Sequence, residues 1–302
     1  MRAAQRETNL NLFGASRHHQ YESTLEASAV ITETNLNNVK EEEQAAKELL
    51  WTDYADRIGT IALDNYPKRN SLSAELIAQL MDALDHLKAQ GARVVVLRSA
   101  TNEKVWSAGC DVAELPKANV DPLPYGDPIE QLLRAVKEFP APIIAMVHGS
   151  VWGGACDLIM ACDIVIADET STFAITPAKL GLPYNMAGFL NFMTRVPLTI
   201  VKEMFFTADP IGADRAEKVG IVNLIVPAAE LESRTYAMAK TIASRSAASI
   251  SACKAAIHFL SEAIAMNPGT YEYLHALRRD VYTGPDYHEG IQAFLEKRPP
   301  KF

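Results

Sequence analysis

The stretch that decides the fold is Pro142-Ile143-Ile144-Ala145-Met146-Val147-His148-Gly149-Ser150-Val151-Trp152-Gly153-Gly154-Ala155-Cys156-Asp157-Leu158-Ile159-Met160-Ala161-Cys162-Asp163. Its first part is a short, continuous apolar run between a proline and a glycine, the pattern of a buried strand. From Gly154 the apolar residues fall at helical spacing and stop near Asp163. Gly149, Gly153 and Gly154 lie between and read as a turn. Glycine there permits positive φ and lets another molecule approach the main chain closely. Strand, glycine turn and helix together leave free N–H groups at a helix N-terminus. Such a place suits a phosphate, or a negative charge that arises only during a reaction. A glycine turn also serves packing alone, and two adjacent glycines do not separate these readings.

A second element of similar build lies upstream. Arg93-Val94-Val95-Val96-Leu97-Arg98-Ser99-Ala100 reads as a buried β-branched strand, and Val105-Trp106-Ser107-Ala108-Gly109-Cys110-Asp111 as a loop of small residues turning toward a helix. Two strand-to-loop units can each aim one N–H at a common point. Two converging N–H groups make an oxyanion hole.

Ser107-Ala108-Gly109-Cys110-Asp111, followed by His148 to Gly154, resembles the crotonase (enoyl-CoA hydratase/isomerase) superfamily. The resemblance runs from about Tyr54 to Phe302. It is strongest at Glu114-Leu115-Pro116, Gly149 to Ala155, Thr176-Pro177, Leu180 to Asn185 and Ala293 to Arg298. It implies an α/β fold with a crotonase-like ββα spiral core and a C-terminal helical trimerisation region. The expected division is a polar, poorly ordered extension over residues 1–50, a core over 51–245 and C-terminal helices over 246–302. The assembly implied is a homotrimer or homohexamer.

Composition agrees with a folded chain. In 302 residues, 48% are hydrophobic and 22% charged, enough for a sizeable core. The net charge of -8 argues against nucleic acid as a partner. Cys110, Cys156, Cys162 and Cys253 form no CxxC pair, so no metal is expected, and Cys156 and Cys162 read as packing residues. No apolar run is long enough for a membrane span, and a cytoplasmic, reducing location is expected. Residues 1 to about 50 contain no proline and Gly14 alone of the glycines. They lack a secretory apolar core, and Glu7, Glu22 and Glu26 count against an organelle presequence. Lys40 to Leu50 is predicted as a helix within an extension, or the start lies upstream of the true one.

The globular part is expected from Tyr54. Ile58 to Leu63 predicts a strand, and Ser73 caps a helix over Ala74 to Ala89 with Leu76, Leu80, Leu84 and Leu87 on one face. Pro116 to Pro128 predicts a loop beside the acyl pocket, and Ile129 to Phe139 a helix. Ile164 to Ala167 and Thr172 to Ile175 predict strands, so strands alternate with helices in βαβ units. From Leu198 onward the chain reads mainly as helices, at 200–206, 213–218, 228–243, 247–266, 271–282 and 287–297.

The resemblance implies the N–H groups of Cys110 and Gly154 as the oxyanion hole of a CoA thioester. It implies contacts to CoA from Lys68, Arg69, Ala108, Gly109, Cys110, Asp111, Val112, Gly154, Phe294 and Lys297, with Thr176 in the acyl pocket. CoA is part of the substrate, and no separate cofactor is expected. Hydration needs two carboxylates. The family positions for them fall on Asp157 and on Pro177, which has no acid or base. Decarboxylation needs no base, because the departing carboxylate supplies the electrons. The resemblance is to the branch that decarboxylates methylmalonyl-CoA to propionyl-CoA, so methylmalonyl-CoA or a related malonyl-CoA thioester is the expected substrate, and it implies Tyr184 as the donor that orients the carboxylate. The expected catalytic set is Cys110, Gly154, Tyr184 and Asp157. Cys110 stands where that branch has histidine, and Asp157 could orient Tyr184 or water, or face the pocket rim. Two other readings stand beside this one: an enoyl-CoA hydratase/isomerase, and an acyl-CoA-binding homologue without catalysis.

Overall fold

Buried apolar runs become the strands of two sheets in a computed structural model that describes residues 48–115, 125–261, 263 and 267–302. The larger sheet holds β1 (Leu50–Ala55), β2 (Ile58–Leu63), β3 (Val94–Ser99), β5 (Ile143–Val147), β7 (Ile164–Asp168) and β10 (Leu224–Val226), in that spatial order. The smaller holds β4 (Val105–Ser107), β6 (Ser150–Trp152), β8 (Thr172–Ala174) and β9 (Ile211–Gly212). β1 runs antiparallel to β2, and the rest of the larger sheet is parallel.

Parallel strands covered on both faces read as unbroken apolar runs. Alternation still sorts them. Val95, Leu97, Ile143, Ala145 and Val165 face one cluster with α1 (Ala74–Ala89), α2 (Pro128–Glu138) and α3 (Gly154–Ala161). Val94, Val96, Ile144, Met146 and Ile166 face the other. There they meet Leu231, Ala239 and Ala243 of α7 (Leu231–Ala243). Helix α1 starts as expected, with the Ser73 hydroxyl accepting from the Leu76 N–H at 3.2 Å. The remaining helices are α4 (Met186–Met193), α5 (Leu198–Thr207), α6 (Ala213–Lys218), α8 (Ala247–Ser261), α9 (Pro268–Thr283) and α10 (Pro285–Leu295). Leu49–Phe302 forms one compact unit.

Several expectations need correction. Ser150 to Trp152, read as turn, is strand β6, because β4 and β8 flank it and pair with it in parallel. Order begins before Tyr54. Leu50 is in β1, not in a helix, and the buried Leu49 donates its N–H to the Gln79 side chain at 2.8 Å. Between the helices after Leu198 two short strands that were not foreseen, β9 and β10, complete the two sheets. Helix α4 was not foreseen. The predicted loop at 116–128 falls largely outside the described residues, as do residues 1–47 and the end of the predicted helix at 247–266.

The last helix meets the core through close backbone contacts. A Cβ on Gly290 of α10 would lie 2.1 Å from the Leu180 carbonyl oxygen, in the turn Pro177–Leu180. Backbone therefore touches backbone where the C-terminal helix meets the segment that leads to Tyr184. Gly290→Ala should cost about 1–3 kcal/mol through overpacking. Calorimetry should then show a thermal midpoint lower by roughly 3–10 °C. An unchanged midpoint would contradict this account of the contact.

Candidate active site

The loop after β4 is held from behind by Asn70. Its side-chain NH2 donates to the Trp106 carbonyl at 2.9 Å and to Ser99 Oγ at 3.2 Å, and its Oδ1 accepts from the Asn65 N–H at 2.8 Å. Ser107 Oγ donates to the Asn70 carbonyl at 2.7 Å and accepts from the Gly109 N–H at 3.2 Å. Ala108 N–H donates to Arg69 O, and Asp111 N–H to Leu72 O. Each N–H from Ala108 to Asp111 is thus committed inward, except that of Cys110, which has no main-chain acceptor among the described residues.

The second donor comes from β6 and α3. Gly153 spends its N–H on the Ala174 carbonyl at 2.9 Å. Gly154, the first residue of α3, has an N–H with no intrahelical acceptor. The two loops are in contact. A Cβ on Gly154 would sit 2.5 Å from Cys110 Sγ and 3.4 Å from the Cys110 nitrogen. Gly109, at φ +82, leaves its missing Cβ 2.9 Å from the Gly154 nitrogen. The free N–H groups of Cys110 and Gly154 therefore stand side by side. The positive end of α3 lies behind them, which suits an oxyanion.

These donors border a cleft of about 640 Å³. Of the residues singled out in the sequence, Lys68, Arg69, Ala108, Cys110, Asp111, Val112, Gly154, Asp157, Thr176, Tyr184 and Phe294 line it. Gly109 supports it from behind. Lys297, at φ +54 beyond α10, is not among its lining residues. Phe294 reaches the cleft within its own chain. Lys68 and Arg69 are exposed, and Lys68 Nζ lies 3.6 Å from the Asp111 carboxylate. Trp152, Leu115, Leu182 and Pro183, from the stretches that carry the resemblance, also line the cleft, as do Ile129 and Tyr282, and none of them was assigned a role. Among the described residues no group of three or more His, Cys, Asp or Glu is placed to hold a metal ion.

The inner wall carries an acid. Asp157 lies on α3, 4% exposed, and accepts a hydrogen bond from the Tyr184 hydroxyl at Oδ2. Its Oδ1 makes no hydrogen bond, and neither does the buried Asn191 amide nitrogen. The Asn191 amide stands near enough to favour the ionised carboxylate but does not form a proper bond to it. Burial outweighs these donors and pushes the Asp157 carboxyl up to about 7. Burial, then the charge of Asp157, holds the Tyr184 phenol well above its usual range, so it is neutral. The same two causes push the Cys110 thiol up to about 12, which makes it a poor nucleophile at pH 7. Tyr184 is braced by edge-on contacts to Phe189 and Phe205, with ring centres 5.6 and 4.7 Å away. Asn185 caps α4 and also donates to the buried Glu130, a link that nothing in the sequence pointed to. The arrangement offers two main-chain donors for a developing negative charge, facing a largely apolar wall with one neutral phenol.

Comparison with known proteins agrees with this geometry. The family model described as enoyl-CoA hydratase/isomerase matches residues 53–302. Methylmalonyl-CoA decarboxylase of Escherichia coli K12 is 45% identical over 247 residues, covering 82% of this chain and 95% of that one. The human mitochondrial enoyl-CoA hydratase domain-containing protein 3 is 33% identical over 81% of this chain and 80% of its own length. A solved structure of methylmalonyl-CoA decarboxylase in complex with 2-nitronate-propionyl-CoA superposes with a TM-score of 0.83. It is 44% identical, over 84% of this chain and 98% of that one. On the match across its folded length, and on the paired strand-to-loop donors, this chain belongs to the enoyl-CoA hydratase/isomerase family.

Proposed function

We propose that this chain is a carboxy-lyase that converts methylmalonyl-CoA to propionyl-CoA and CO2 through a thioester enolate. The observation that carries the reading is the pair of free N–H groups at Cys110 and Gly154, opening on a wall with a neutral phenol and a proline at 177. The 45% identity to the E. coli decarboxylase over nearly its whole length supports it. In this reading the thioester oxygen accepts from both N–H groups. The Cα–CO2 bond breaks, its electron pair enters the bond between Cα and the carbonyl carbon, and the negative charge settles on that oxygen. Donors fixed there act most strongly as the charge grows. CO2 leaves neutral into apolar surroundings, and one proton taken up at Cα completes propionyl-CoA. No base removes an α-proton, so Pro177 is no handicap, whereas hydration lacks its second carboxylate there.

Tyr184 is assigned the substrate carboxylate, Thr176 a contact in the acyl pocket, and the Ala108–Val112 loop the thioester end of CoA. Lys68 and Arg69 stand at the lip for the CoA phosphates, while Phe294 and Lys297 serve its adenosine end. CoA enters as part of the substrate. No helix among the described residues is long and apolar enough to cross a membrane, and a cytoplasmic location goes with the reading. A homotrimer or homohexamer goes with it too. Helix α8 has no buried residue, and it exposes Ile257, Phe259 and Leu260. Its inward contact is Lys254, which bonds Asp163 and the Val136 and Ala141 carbonyls. The division into an N-terminal extension, a core and C-terminal helices from 246 belongs to the same proposal.

Mass-spectrometric product analysis of the purified protein with methylmalonyl-CoA should show propionyl-CoA. No CO2 release from any malonyl-type thioester would overturn the reading. Tyr184→Phe should slow turnover by about 10- to 100-fold, since a hydrogen bond to a charged group is worth about 1.5–3 kcal/mol. Lys68→Glu with Arg69→Glu should raise KM on the order of three- to tenfold at low salt and less at high salt, with kcat little changed. Sedimentation of the intact chain should give three or six copies, and a monomer at micromolar concentration would contradict the proposed assembly.

A further inference from the structure

Asp157 is buried on the cleft wall. Its Oδ1 has no hydrogen-bond partner, and it joins no ion pair among the described residues. Its Oδ2 shares one hydrogen bond with Tyr184. A tyrosine hydroxyl has a single hydrogen, and an ionised carboxylate can only accept. With Asp157 ionised, that hydrogen must point at Oδ2. The cleft then faces the lone pairs of the Tyr184 oxygen, which repel a carboxylate. With Asp157 neutral, its own O–H can donate to the Tyr184 oxygen, and the phenol hydrogen is free to turn into the cleft.

We propose that Asp157 is a positioning residue that acts in its neutral form. By donating to Tyr184 it directs the phenol hydrogen at the substrate's carboxylate, and its ionisation withdraws that contact. The proposal rests on the assignment of a carboxylated thioester to this cleft.

The surroundings support the neutral form. Burial is the dominant influence on Asp157 and places its carboxyl at about 7. Tyr184 and the Asn191 amide of α4 favour ionisation. Glu130, across from it on α2, disfavours it, and Lys137 on the same helix favours it least of these. Cys110 and Cys156, beside the pair, are neutral thiols. Glu130 is itself held above its usual range by burial and accepts from Asn185. Below about pH 7 Asp157 is neutral and the contact is available. As pH rises through that value the contact is lost.

Two probes separate this switch from everything else that titrates. 2-Carboxypropyl-CoA carries the carboxylate, and propionyl-CoA has the same CoA phosphates without it. Calorimetric binding between about pH 6 and about pH 9 should show the Kd of the first rising about tenfold per pH unit above the Asp157 midpoint, and that of the second flat by comparison. Asp157→Asn cannot ionise and keeps an N–H to donate, so the slope should vanish with affinity held within about threefold of the low-pH wild type. Tyr184→Phe should bind the first probe weakly with no slope.

A wild-type slope retained in Asp157→Asn would overturn the proposal. So would a slope retained in Tyr184→Phe, which would mean direct repulsion by Asp157. If Asp157→Asn does not fold, the Tyr184→Phe profile decides. The probes need no turnover. A slope in a protein that releases no CO2 would defeat the decarboxylase reading alone, and turnover with a flat binding profile would defeat the switch alone.

Discussion

Two main-chain donors are kept unpaired where two loops touch, and much of the molecule serves that contact. Both open on the cleft, and the neighbouring N–H groups of Ala108, Gly109, Asp111 and Gly153 are all satisfied. Asn70 uses both its donor and its acceptor atoms to hold the Ser107–Asp111 loop, and Ser107 both gives and receives. The contact also dictates side-chain size. Cys110 Sγ occupies the space that a Cβ at Gly154 would need, so neither loop can grow inward. The helix that begins at Gly154 is short and buried nearly throughout, which keeps its dipole away from water's screening.

Charge is arranged around these donors as a gradient. The lip has exposed cations, Lys68, Arg69 and Lys179, on a chain of net charge -8. Inward, charge disappears. The Cys110 thiol and the Tyr184 phenol are neutral at any ordinary pH, and Asp157 stands at the boundary between its two forms. A reaction that begins with a carboxylate and ends with neutral CO2 is favoured where anions are poorly solvated. A full cation there would stabilise the starting carboxylate as much as it helped to orient it. A phenol gives direction with less ground-state stabilisation, provided its single hydrogen faces the right way.

The fold was largely legible along the chain. The runs at Val94 to Leu97 and Ile143 to Val147 are long enough, and apolar enough on both faces, to declare buried parallel strands without knowledge of their partners. Ser73 announced its helix through a local hydrogen bond. Two of the missed strands share a cause. Ser150 to Trp152 is three residues long between glycines, and it becomes a strand because β4 and β8 lie on either side of it. β10 is likewise created by pairing with β7. Such short strands have no pattern of their own to read.

The site divides in the same way. The sequence by itself determined the strand–turn–helix frame, the glycines that permit close approach, the family, and the loss of an acid at Pro177, because each is a property of residue type at local spacing. Only the tertiary structure decided that Asp157 reaches Tyr184 rather than the rim, that Asn70 anchors the Cys110 loop, and that Phe294 enters its own chain's cleft. Those are contacts between residues distant along the chain. Their chemistry depends on burial, which raises Asp157 from an ordinary acid to one that changes form near neutrality, and burial exists once the whole chain has packed.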